Sequence, residues 1–194
     1  RRLDRPLRIA IMGEINTGKS ALANLLARVE CLPTAVISNT QVPTLLQFAH
    51  EPEIWGVREG AKRERLGANR EAPSQSVVRL DVGLPSQRLR AIQLLDLPGL
   101  ADPTLRTPIV DLALHHVDAV VWCTMSTQAW KESERMAWSR LPARLRSRGV
   151  LVSTHGDLLR EVRDAEKVLT RLRSAAGPLF RDIVLVSTVD ALAL

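Results

Sequence analysis

The fold is decided by one stretch near the N-terminus, Gly13-Glu14-Ile15-Asn16-Thr17-Gly18-Lys19-Ser20. This stretch matches the pattern GxxxxGK[ST] and stands between an apolar run that predicts a strand and a run that predicts a helix. Glycine at both ends permits a tight turn, so that successive backbone N–H groups can point at phosphate oxygens. The partial positive charge of the helix N-terminus lies at the same place. The stretch therefore predicts a phosphate-binding loop, and a purely structural glycine turn is the alternative.

The loop also predicts which of its residues bind a nucleotide. Lys19 should reach the terminal phosphates, and the Ser20 hydroxyl should bind Mg²⁺. The predicted binding residues of the loop and of the start of the helix are Gly13, Glu14, Asn16, Thr17, Gly18, Lys19, Ser20 and Ala21.

Length and composition describe an ordinary folded domain. The chain has 194 residues, of which 45% are hydrophobic and 25% charged, which suits one α/β domain and excludes disorder, collagen-like repeats and a coiled coil. No apolar run approaches the roughly 18 to 20 residues of a membrane-spanning helix, and the first residues do not resemble a signal peptide. Cys31 and Cys123 lie far apart without metal-ligand spacing, so we predict a reducing, cytoplasmic compartment.

Short apolar runs rich in β-branched residues alternate with longer helical patterns, as in βαβ units. The predicted strands are residues 8–12, 44–48, 77–84, 91–95, 119–125, 150–153 and 183–186. The predicted helices are residues 19–29, 108–116, 127–140 and 157–176. Several strands are almost continuously apolar, so helices should cover both faces of the sheet. The predicted fold class is therefore α/β, with a mostly parallel sheet and helices on both faces.

Two stretches are predicted to be exposed connections. Residues 31–43 are rich in Pro, Thr, Ser and Asn, and residues 51–76 carry several Arg and Gly with no sustained apolar period. We interpret the second stretch as a solvated polar excursion, with a functional basic arm as the alternative. The net charge of +6 would favour an anionic partner, although scattered arginines that only solvate helix surfaces are the simpler explanation.

A second element follows the predicted strand that ends at residue 95. It reads Asp96-Leu97-Pro98-Gly99, a sequence that by itself is a common turn. At a strand end downstream of a phosphate-binding loop, the Asp96 carboxylate could hold a Mg²⁺-bound water and the Gly99 N–H could meet the γ-phosphate. We therefore predict Asp96 as a metal-site residue that acts through water.

At these residues the sequence resembles the GTPase domain of the dynamin superfamily, in particular bacterial dynamin-like proteins. The resemblance rests on the loop itself, on Ala21-Leu22-Ala23-Asn24-Leu25-Leu26, on the stretch from Leu32-Pro33-Thr34 to Thr40-Gln41-Val42-Pro43-Thr44, and on Leu95-Asp96-Leu97-Pro98-Gly99. It extends from about residue 8 to residue 188. It implies a P-loop NTPase fold of the Ras-like GTPase class, with GTP or GDP as ligand and Mg²⁺ as cofactor.

The resemblance also implies catalytic residues. Thr40 would be the first-switch threonine, whose hydroxyl coordinates Mg²⁺ and whose carbonyl orients the attacking water; a hydroxyl–backbone turn is the alternative. Residue 100 is Leu where many small GTPases have a water-positioning Gln, so catalysis should rely on a monovalent cation and backbone groups. Asn16 could coordinate K⁺ or Na⁺ for this purpose, or it could merely form the turn. The predicted catalytic residues are Lys19, Thr40, Gly99 and Asn16.

The base-recognition motif [NT]-K-x-D reads Thr154-His155-Gly156-Asp157 here, so the Asp is kept and the Lys is replaced. Asp157 can accept the two hydrogen bonds that distinguish guanine from adenine, and it can also cap the predicted helix; the two roles are compatible. His155 could stack on the base, but it lacks the aliphatic stem and permanent charge of Lys, so we expect weaker nucleotide binding. Val186-Ser187-Thr188 resembles the family's loop that supports the guanine carbonyl. The predicted base-binding residues are Thr154, His155, Asp157, Ser187 and Thr188.

The leading functional prediction is Mg²⁺-dependent hydrolysis of GTP by one GTPase domain over residues 1–194. The resemblance implies a nucleotide-dependent homodimer, and membrane remodelling through a helical stalk and membrane-binding parts that this chain does not contain. It would place the protein in the cytoplasm or peripherally at the inner face of the membrane. Two alternatives stay open: a regulatory GTPase associated with RNA or ribosomes, although no nucleic-acid-binding appendage is visible, and a nucleotide-binding interaction module that hydrolyses weakly.

Overall fold

A nine-stranded mixed sheet forms the centre of the computed structural model, which describes residues 5–29, 42–66, 77–97, 114–128, 130–159 and 161–188. Its strands are β1 (Leu7–Gly13), β2 (Thr44–Phe48), β3 (Glu53–Arg58), β4 (Arg63–Leu66), β5 (Val77–Leu84), β6 (Ile92–Asp96), β7 (Ala119–Met125), β8 (Gly149–Thr154) and β9 (Asp182–Leu185). The helices of this part of the chain are α1 (Lys19–Ala27), α2 (Glu132–Ser139), α3 (Ala143–Arg146) and α4 (Val162–Ala176). Among the helices described, none is long and apolar enough to cross a membrane.

The strands are arranged in the order β4-β3-β5-β2-β6-β1-β7-β8-β9. The five strands from β6 to β9 in this order are parallel to one another. β2 and β5 are parallel to each other, β2 is antiparallel to β6, and β3 is antiparallel to both β4 and β5. Because the five parallel strands run in one direction, their carboxyl ends lie at one edge of the sheet, where open α/β sheets bind ligands.

Helices cover both faces of the parallel half of the sheet, which confirms the predicted fold class. On one face, Leu22 of α1 belongs to a buried core with Ile11 of β1. On the other face, Trp138 of α2 and Leu172 of α4 share a core with Trp122 of β7. A strand that is buried on both faces needs apolar residues at nearly every position, which is why the sequence identified these strands.

All seven predicted strands are present, and their ends differ from the prediction by at most one residue. The prediction of an exposed connection over residues 51–76 is nevertheless wrong for its first part. There, β3 and β4 form a hairpin, in which Ile54 lies opposite Leu66, and this hairpin extends the sheet at its edge. The sequence did not indicate these strands because they carry charged residues, which are common on edge strands. They join the sheet through the pairing of β3 with β5, a tertiary contact that the local sequence does not encode. Residues 67–76 lie outside the described part.

Two predicted helices are present with different ends. α1 ends at Ala27 instead of residue 29, and α4 begins at Val162 instead of residue 157. Gly156–Leu158 forms a short 3₁₀ turn, and Glu161 is the N-cap residue of α4. The prediction that Asp157 caps this helix is therefore wrong, because the helix begins five residues later.

The helix predicted over residues 127–140 forms only in its second part, as α2. The buried Glu134 fixes where α2 begins, since its carboxylate accepts hydrogen bonds from the Lys131 N–H (2.9 Å), the Thr124 hydroxyl (2.9 Å) and the Trp122 indole N–H (3.2 Å). Burial raises the pKa of Glu134, and these hydrogen bonds oppose that rise. The carboxylate thus satisfies a backbone N–H at the helix N-terminus and ties the first turn of α2 to β7.

Two further predictions lie mostly outside the described residues: of the helix over residues 108–116 the structure describes 114–116, and of the connection over residues 31–43 it describes 42 and 43. α3 was not predicted, because four residues are too few to establish a helical period.

An aromatic cluster fills the core beneath α2. The rings of Trp122 and Trp138 meet edge to face with centroids 5.7 Å apart, and the centroids of Trp138 and Phe180 lie 4.1 Å apart. Gly149, the first residue of β8, lies against Trp138, because a Cβ at Gly149 would be 2.1 Å from the ring carbon Cη2. The missing side chain at residue 149 makes room for the indole.

Gly149→Ala should lower the free energy of unfolding by about 1 to 3 kcal/mol, because a buried indole and the sheet backbone must move apart to admit the methyl group. Urea denaturation measures this change. Gly177→Ala is the matched control, since a Cβ at Gly177 would meet no atom of the described residues within 4 Å. An equal loss in both variants would contradict the packing explanation.

Candidate nucleotide-binding site

The phosphate-binding loop lies at the edge where the parallel strands end. It leaves β1 at Gly13 and enters α1 at Lys19. Gly13 has a φ of +142°, and a Cβ at this residue would lie 2.3 Å from the carbonyl oxygen of Cys123 on β7. Glycine alone permits this approach. The first residue of the loop is therefore held directly against the neighbouring strand.

Two other residues of the loop have left-handed backbone conformations, Asn16 with φ 63° and Gly18 with φ 73°. Gly18 is the N-cap of α1, and its carbonyl accepts a hydrogen bond from the Leu22 N–H at 2.9 Å. Asparagine tolerates the left-handed region better than most residues, so the turn by itself accounts for Asn16. Asn16 is also exposed, so a cation could reach it. The turn and the cation interpretations both remain compatible with this geometry.

Lys19 is held inside the loop by the loop's own backbone. Its ammonium Nζ donates a hydrogen bond to the Glu14 carbonyl oxygen at 2.6 Å, and the Thr17 hydroxyl donates to the same oxygen at 2.8 Å. Burial lowers the pKa of Lys19, and the nearby Asp96 carboxylate opposes this shift. The ammonium therefore lies between the loop and the end of β6, in the region where the motif places terminal phosphates.

Asp96 ends β6 beside the start of α1. The Ser20 hydroxyl donates a hydrogen bond to Asp96 Oδ2 at 3.2 Å, whereas Oδ1 is buried without a partner among the described residues. Asp96 is only 7% exposed, and burial raises its pKa to about 6 against the effects of Lys19 and Ser20. A buried carboxylate oxygen without a donor is costly unless a ligand satisfies it. This orphaned oxygen is what a water-mediated metal site requires.

The donor set suits Mg²⁺ bound together with a nucleotide. No group of three or more His, Cys, Asp or Glu side chains with metal-ligand placement exists in the part of the chain that the structure describes. Mg²⁺ in nucleotide sites takes most of its ligands from phosphates and waters, with one or two ligands from the protein. Ser20 and Asp96 provide a hydroxyl and a carboxylate of that kind, and they therefore fit the ion.

Thr154, at the end of β8, connects the base-recognition motif to the phosphate-binding loop. Its buried hydroxyl oxygen lies 2.8 Å from the Thr17 carbonyl oxygen, 3.2 Å from the Thr124 carbonyl oxygen and 3.0 Å from His155 Nδ1. Both carbonyls can only accept, so the hydroxyl donates to a carbonyl and accepts from Nδ1–H. The imidazole lies beside Gly18, where a Cβ would be 3.3 Å from His155 Cε1. The residue that replaces the motif's Lys thus contacts the loop.

The two loops predicted to bind the base meet each other. The Ser187 hydroxyl donates a hydrogen bond to Asp157 Oδ1 at 3.3 Å, and the Gly156 N–H donates to the Val186 carbonyl at 3.1 Å. Asp157 is exposed, so its carboxylate is open to a ligand. Thr188 follows directly as the last described residue. The structure therefore brings the residues after β8 and β9 together.

The structure describes all but two of the candidate site residues, and it contains contacts that the sequence did not predict. Thr40 and Gly99 lie outside the described residues. The sequence did not predict that the Glu14 side chain meets Lys131 and Ser133 near the start of α2. These residues are more than a hundred positions apart, and nothing in the local sequence pattern signals a contact between them.

These features together define the fold of a P-loop GTPase domain. They are the loop between β1 and α1, the aspartate at the end of the adjacent β6, and the joined loops after β8 and β9. Residues 9–155 match the model of the dynamin family, and the chain belongs to this family. Both the resemblance and the fold class inferred from the sequence are confirmed.

Relatives and solved structures agree with this assignment. The chain is 27% identical to dynamin-like protein 2 of Campylobacter jejuni over 196 residues, which is 97% of this chain and 32% of that protein. It is 27% identical to the isoniazid-induced protein IniC of Mycobacterium tuberculosis over 145 residues, which is 66% of this chain and 29% of that protein. The chain thus spans about a third of the length of these curated relatives.

The solved structures support the fold. A member of an oligomerised bacterial dynamin pair, described as sensing and tethering membranes, superimposes with a TM-score of 0.71 at 24% identity over 95% of this chain and 31% of that chain. Era bound to MgGDPNP and 16S ribosomal RNA superimposes with a TM-score of 0.58 at 16% identity over 96% of this chain and 52% of that chain.

Asp96→Asn should stabilise the metal-free protein in a pH-dependent way. The pKa of Asp96 is about 6 in the folded state and has its ordinary value of 3.8 in the unfolded state. The folded state therefore binds the proton more tightly, and the wild type loses stability as the pH rises between these two values. Above pH 6 the variant should be more stable by about 3 kcal/mol.

Denaturation in the presence of a chelator, at several pH values, measures this difference in unfolding free energy. The advantage of the variant should shrink as the pH falls from 6 and vanish below the ordinary value of 3.8. A stability difference that does not change with pH would contradict the buried-charge explanation.

Proposed function

We propose that this chain binds GTP and hydrolyses it to GDP and phosphate with Mg²⁺ bound. The observation that carries the proposal is the meeting of three groups where β1 and β6 end: the Lys19 ammonium, the Ser20 hydroxyl, and an Asp96 carboxylate with one oxygen that has no partner in the described part of the chain. Membership of the dynamin family supports guanine nucleotide as the ligand.

Phosphate binding is assigned to the loop and to Lys19. The bond from Lys19 to the Glu14 carbonyl uses one of three ammonium hydrogens, so Lys19 can also donate to a phosphate oxygen. In a bond from Lys19 to a phosphate oxygen both partners are charged, so this bond is stronger than the one to the neutral carbonyl. Backbone N–H groups of the loop and the N-terminus of α1 complete the proposed phosphate site.

The metal site is assigned to Ser20, to Asp96 acting through water, and to Thr40. When bound, Mg²⁺ supplies positive charge next to the β- and γ-phosphates. Asp96 Oδ1, which has no partner among the residues that the structure describes, can accept a hydrogen bond from a water ligand, and this bond would satisfy the buried oxygen.

Hydrolysis requires a water molecule aligned with the γ-phosphorus. The water oxygen forms a bond to phosphorus, and the bond from phosphorus to the β–γ bridging oxygen breaks with its electron pair going to the departing GDP. The water loses a proton, which ends on the released phosphate or in solvent. We assign the orientation of this water to the Thr40 carbonyl and the γ-phosphate contact to the Gly99 N–H, as the family motifs imply. Leu100 cannot orient a water molecule, so we propose that Asn16 holds K⁺ or Na⁺ near the phosphates.

Base recognition is assigned to Asp157, with the backbone of Ser187 and Thr188 on the other side of the base. The exposed carboxylate of Asp157, positioned by the Ser187 hydroxyl, supports this assignment. His155 would lie against the base and the loop, where a Lys stands in the usual motif.

We further propose that the domain acts in a longer protein at a membrane and pairs with a second copy when nucleotide is bound. The support is the similarity to relatives about three times longer than this chain and to a bacterial dynamin pair described as tethering membranes. The proposed location is accordingly the cytoplasm or the inner face of the membrane. Family membership favours this role over the RNA-associated alternative.

Asp157→Asn should weaken GTP binding by about 2 to 4 kcal/mol, because a donor amide would face the donors of guanine. Calorimetric titration with GTP and ATP measures the loss, and the wild type should prefer GTP. Lys19→Ala should bind neither nucleotide. Asp164→Asn is the matched control, since this aspartate is paired with Lys167 on α4 and should leave GTP affinity unchanged. Equal wild-type affinity for ATP and GTP would exclude guanine recognition.

Replacing K⁺ or Na⁺ by choline should slow single-turnover GTP hydrolysis if Asn16 binds a cation. Asn16→Gly separates the two interpretations of this residue, because glycine retains the left-handed turn and removes the amide oxygen. The variant should hydrolyse slowly and respond little to the cation. If the variant hydrolyses GTP as fast as the wild type and depends on the cation to the same extent, Asn16 does not bind the cation and only forms the turn.

A further inference from the structure

The Glu14 side chain leaves the phosphate-binding loop and contacts the segment where α2 begins. Lys131 Nζ donates a hydrogen bond to Glu14 Oε2 at 3.1 Å, and the Ser133 hydroxyl donates to Oε1 at 2.5 Å. The Glu14 side chain is 18% exposed, so water only partly competes for its oxygens. Burial raises the pKa of Glu14, but these two hydrogen bonds, together with the positive charges of Lys131 and Lys19, outweigh burial and hold the pKa below its ordinary value. The carboxylate is therefore charged at neutral pH.

The backbone of the same residue holds the lysine of the loop. The Glu14 carbonyl accepts hydrogen bonds from Lys19 Nζ and from the Thr17 hydroxyl. Glu14 thus has two functions in one residue, since its carbonyl restrains Lys19 and its carboxylate restrains the loop. A movement of the Glu14 backbone would displace the acceptor to which Lys19 is bonded.

The partner of Glu14 is itself fixed. Lys131 and Ser133 flank the start of α2, where the buried Glu134 bonds to the Lys131 N–H and to the Thr124 hydroxyl of β7. A loop that is tied to this turn is therefore tied to the central sheet at a further point, besides its covalent start at Gly13 and the bond from Thr154 of β8 to the Thr17 carbonyl.

We propose that Glu14 is a positioning residue: its carboxylate, bonded to Lys131 and Ser133, fixes the loop carbonyl that orients Lys19 for phosphate binding. The inference rests on the proposed function and deepens it, because the pattern GxxxxGK[ST] leaves the side chain at residue 14 unspecified. Because the Lys131 side chain is 44% exposed, this single ion pair contributes little to global stability, and its effect should appear in the loop and in the ligand affinity.

Two measurements test the proposal in variants of the whole chain. The first is hydrogen exchange of the amides of residues 15–18 without nucleotide, and the second is GTP affinity by calorimetry. The variants are Glu14→Ala, Lys131→Ala with Ser133→Ala, and their combination. Lys167→Ala is the matched control, because Lys167 forms an exposed ion pair with Asp164 at the same distance of 3.1 Å.

Glu14→Ala should accelerate exchange in the loop and weaken GTP binding by roughly 3- to 10-fold, with the melting temperature unchanged. Lys131→Ala with Ser133→Ala should have the same effect, and the combined variant should be no weaker than either, because all remove one contact. Glu14→Gln should recover part of the affinity, since its amide oxygen still accepts from Ser133. The control should match the wild type.

The proposal is overturned if Glu14→Ala exchanges like Lys167→Ala, or if the Glu14 and Lys131–Ser133 effects add in full. A melting temperature that falls in step with affinity would also overturn it, because the contact would then stabilise the fold in general. If the wild type binds no GTP, the proposed function fails, whereas the exchange comparison still decides whether Glu14 restrains the loop.

Discussion

The candidate site depends on the parallel pairing of β1 between β6 and β7. The register sets Ile11 opposite Asp96 and Gly13 opposite Cys123, so the loop begins where both neighbouring strands end. Gly13 then turns against the Cys123 carbonyl at a distance that no side chain would permit. A shift of one residue in this register would carry Asp96 away from Ser20 and would turn each β1 side chain to the opposite face.

Two buried carboxylates close to this edge have opposite hydrogen-bonding environments. Glu134 receives bonds from a backbone N–H, a hydroxyl and an indole, and both of its oxygens are satisfied. Asp96 receives one bond, and its second oxygen has no partner among the described residues. A fully bonded buried carboxylate fixes structure, whereas an incompletely bonded one destabilises the protein until a ligand completes it. By this criterion Glu134 has a structural role, and Asp96 is the carboxylate that we propose for ligand binding.

The loop is held at several points by side chains from distant parts of the chain. The Thr154 hydroxyl bonds to the Thr17 carbonyl of the loop, and the Glu14 carboxylate bonds to Lys131 beside the start of α2. Polar networks of this kind restrict a loop whose backbone N–H groups must point at an anion, and restricting them before binding lowers the entropy lost on binding. The replacement of Lys by His155 retains a contact with the loop but removes the permanent charge at this position.

The sequence by itself determined the strands of the parallel sheet, the position of the phosphate-binding loop and the membership of the dynamin family. Each of these is encoded in consecutive residues: the strands in apolar runs, the loop in glycines at fixed spacing, and the family in short motifs. It did not predict the β3–β4 hairpin, which joins the sheet through the pairing of β3 with β5, or the late starts of α2 and α4. Contacts across more than a hundred residues, such as Glu14 with Lys131 and Thr154 with Thr17, were decided only by the tertiary structure. The physical reason is that hydrogen bonds and burial depend on distance in space, and a local pattern carries no information about which distant side chain the fold will bring within 3 Å.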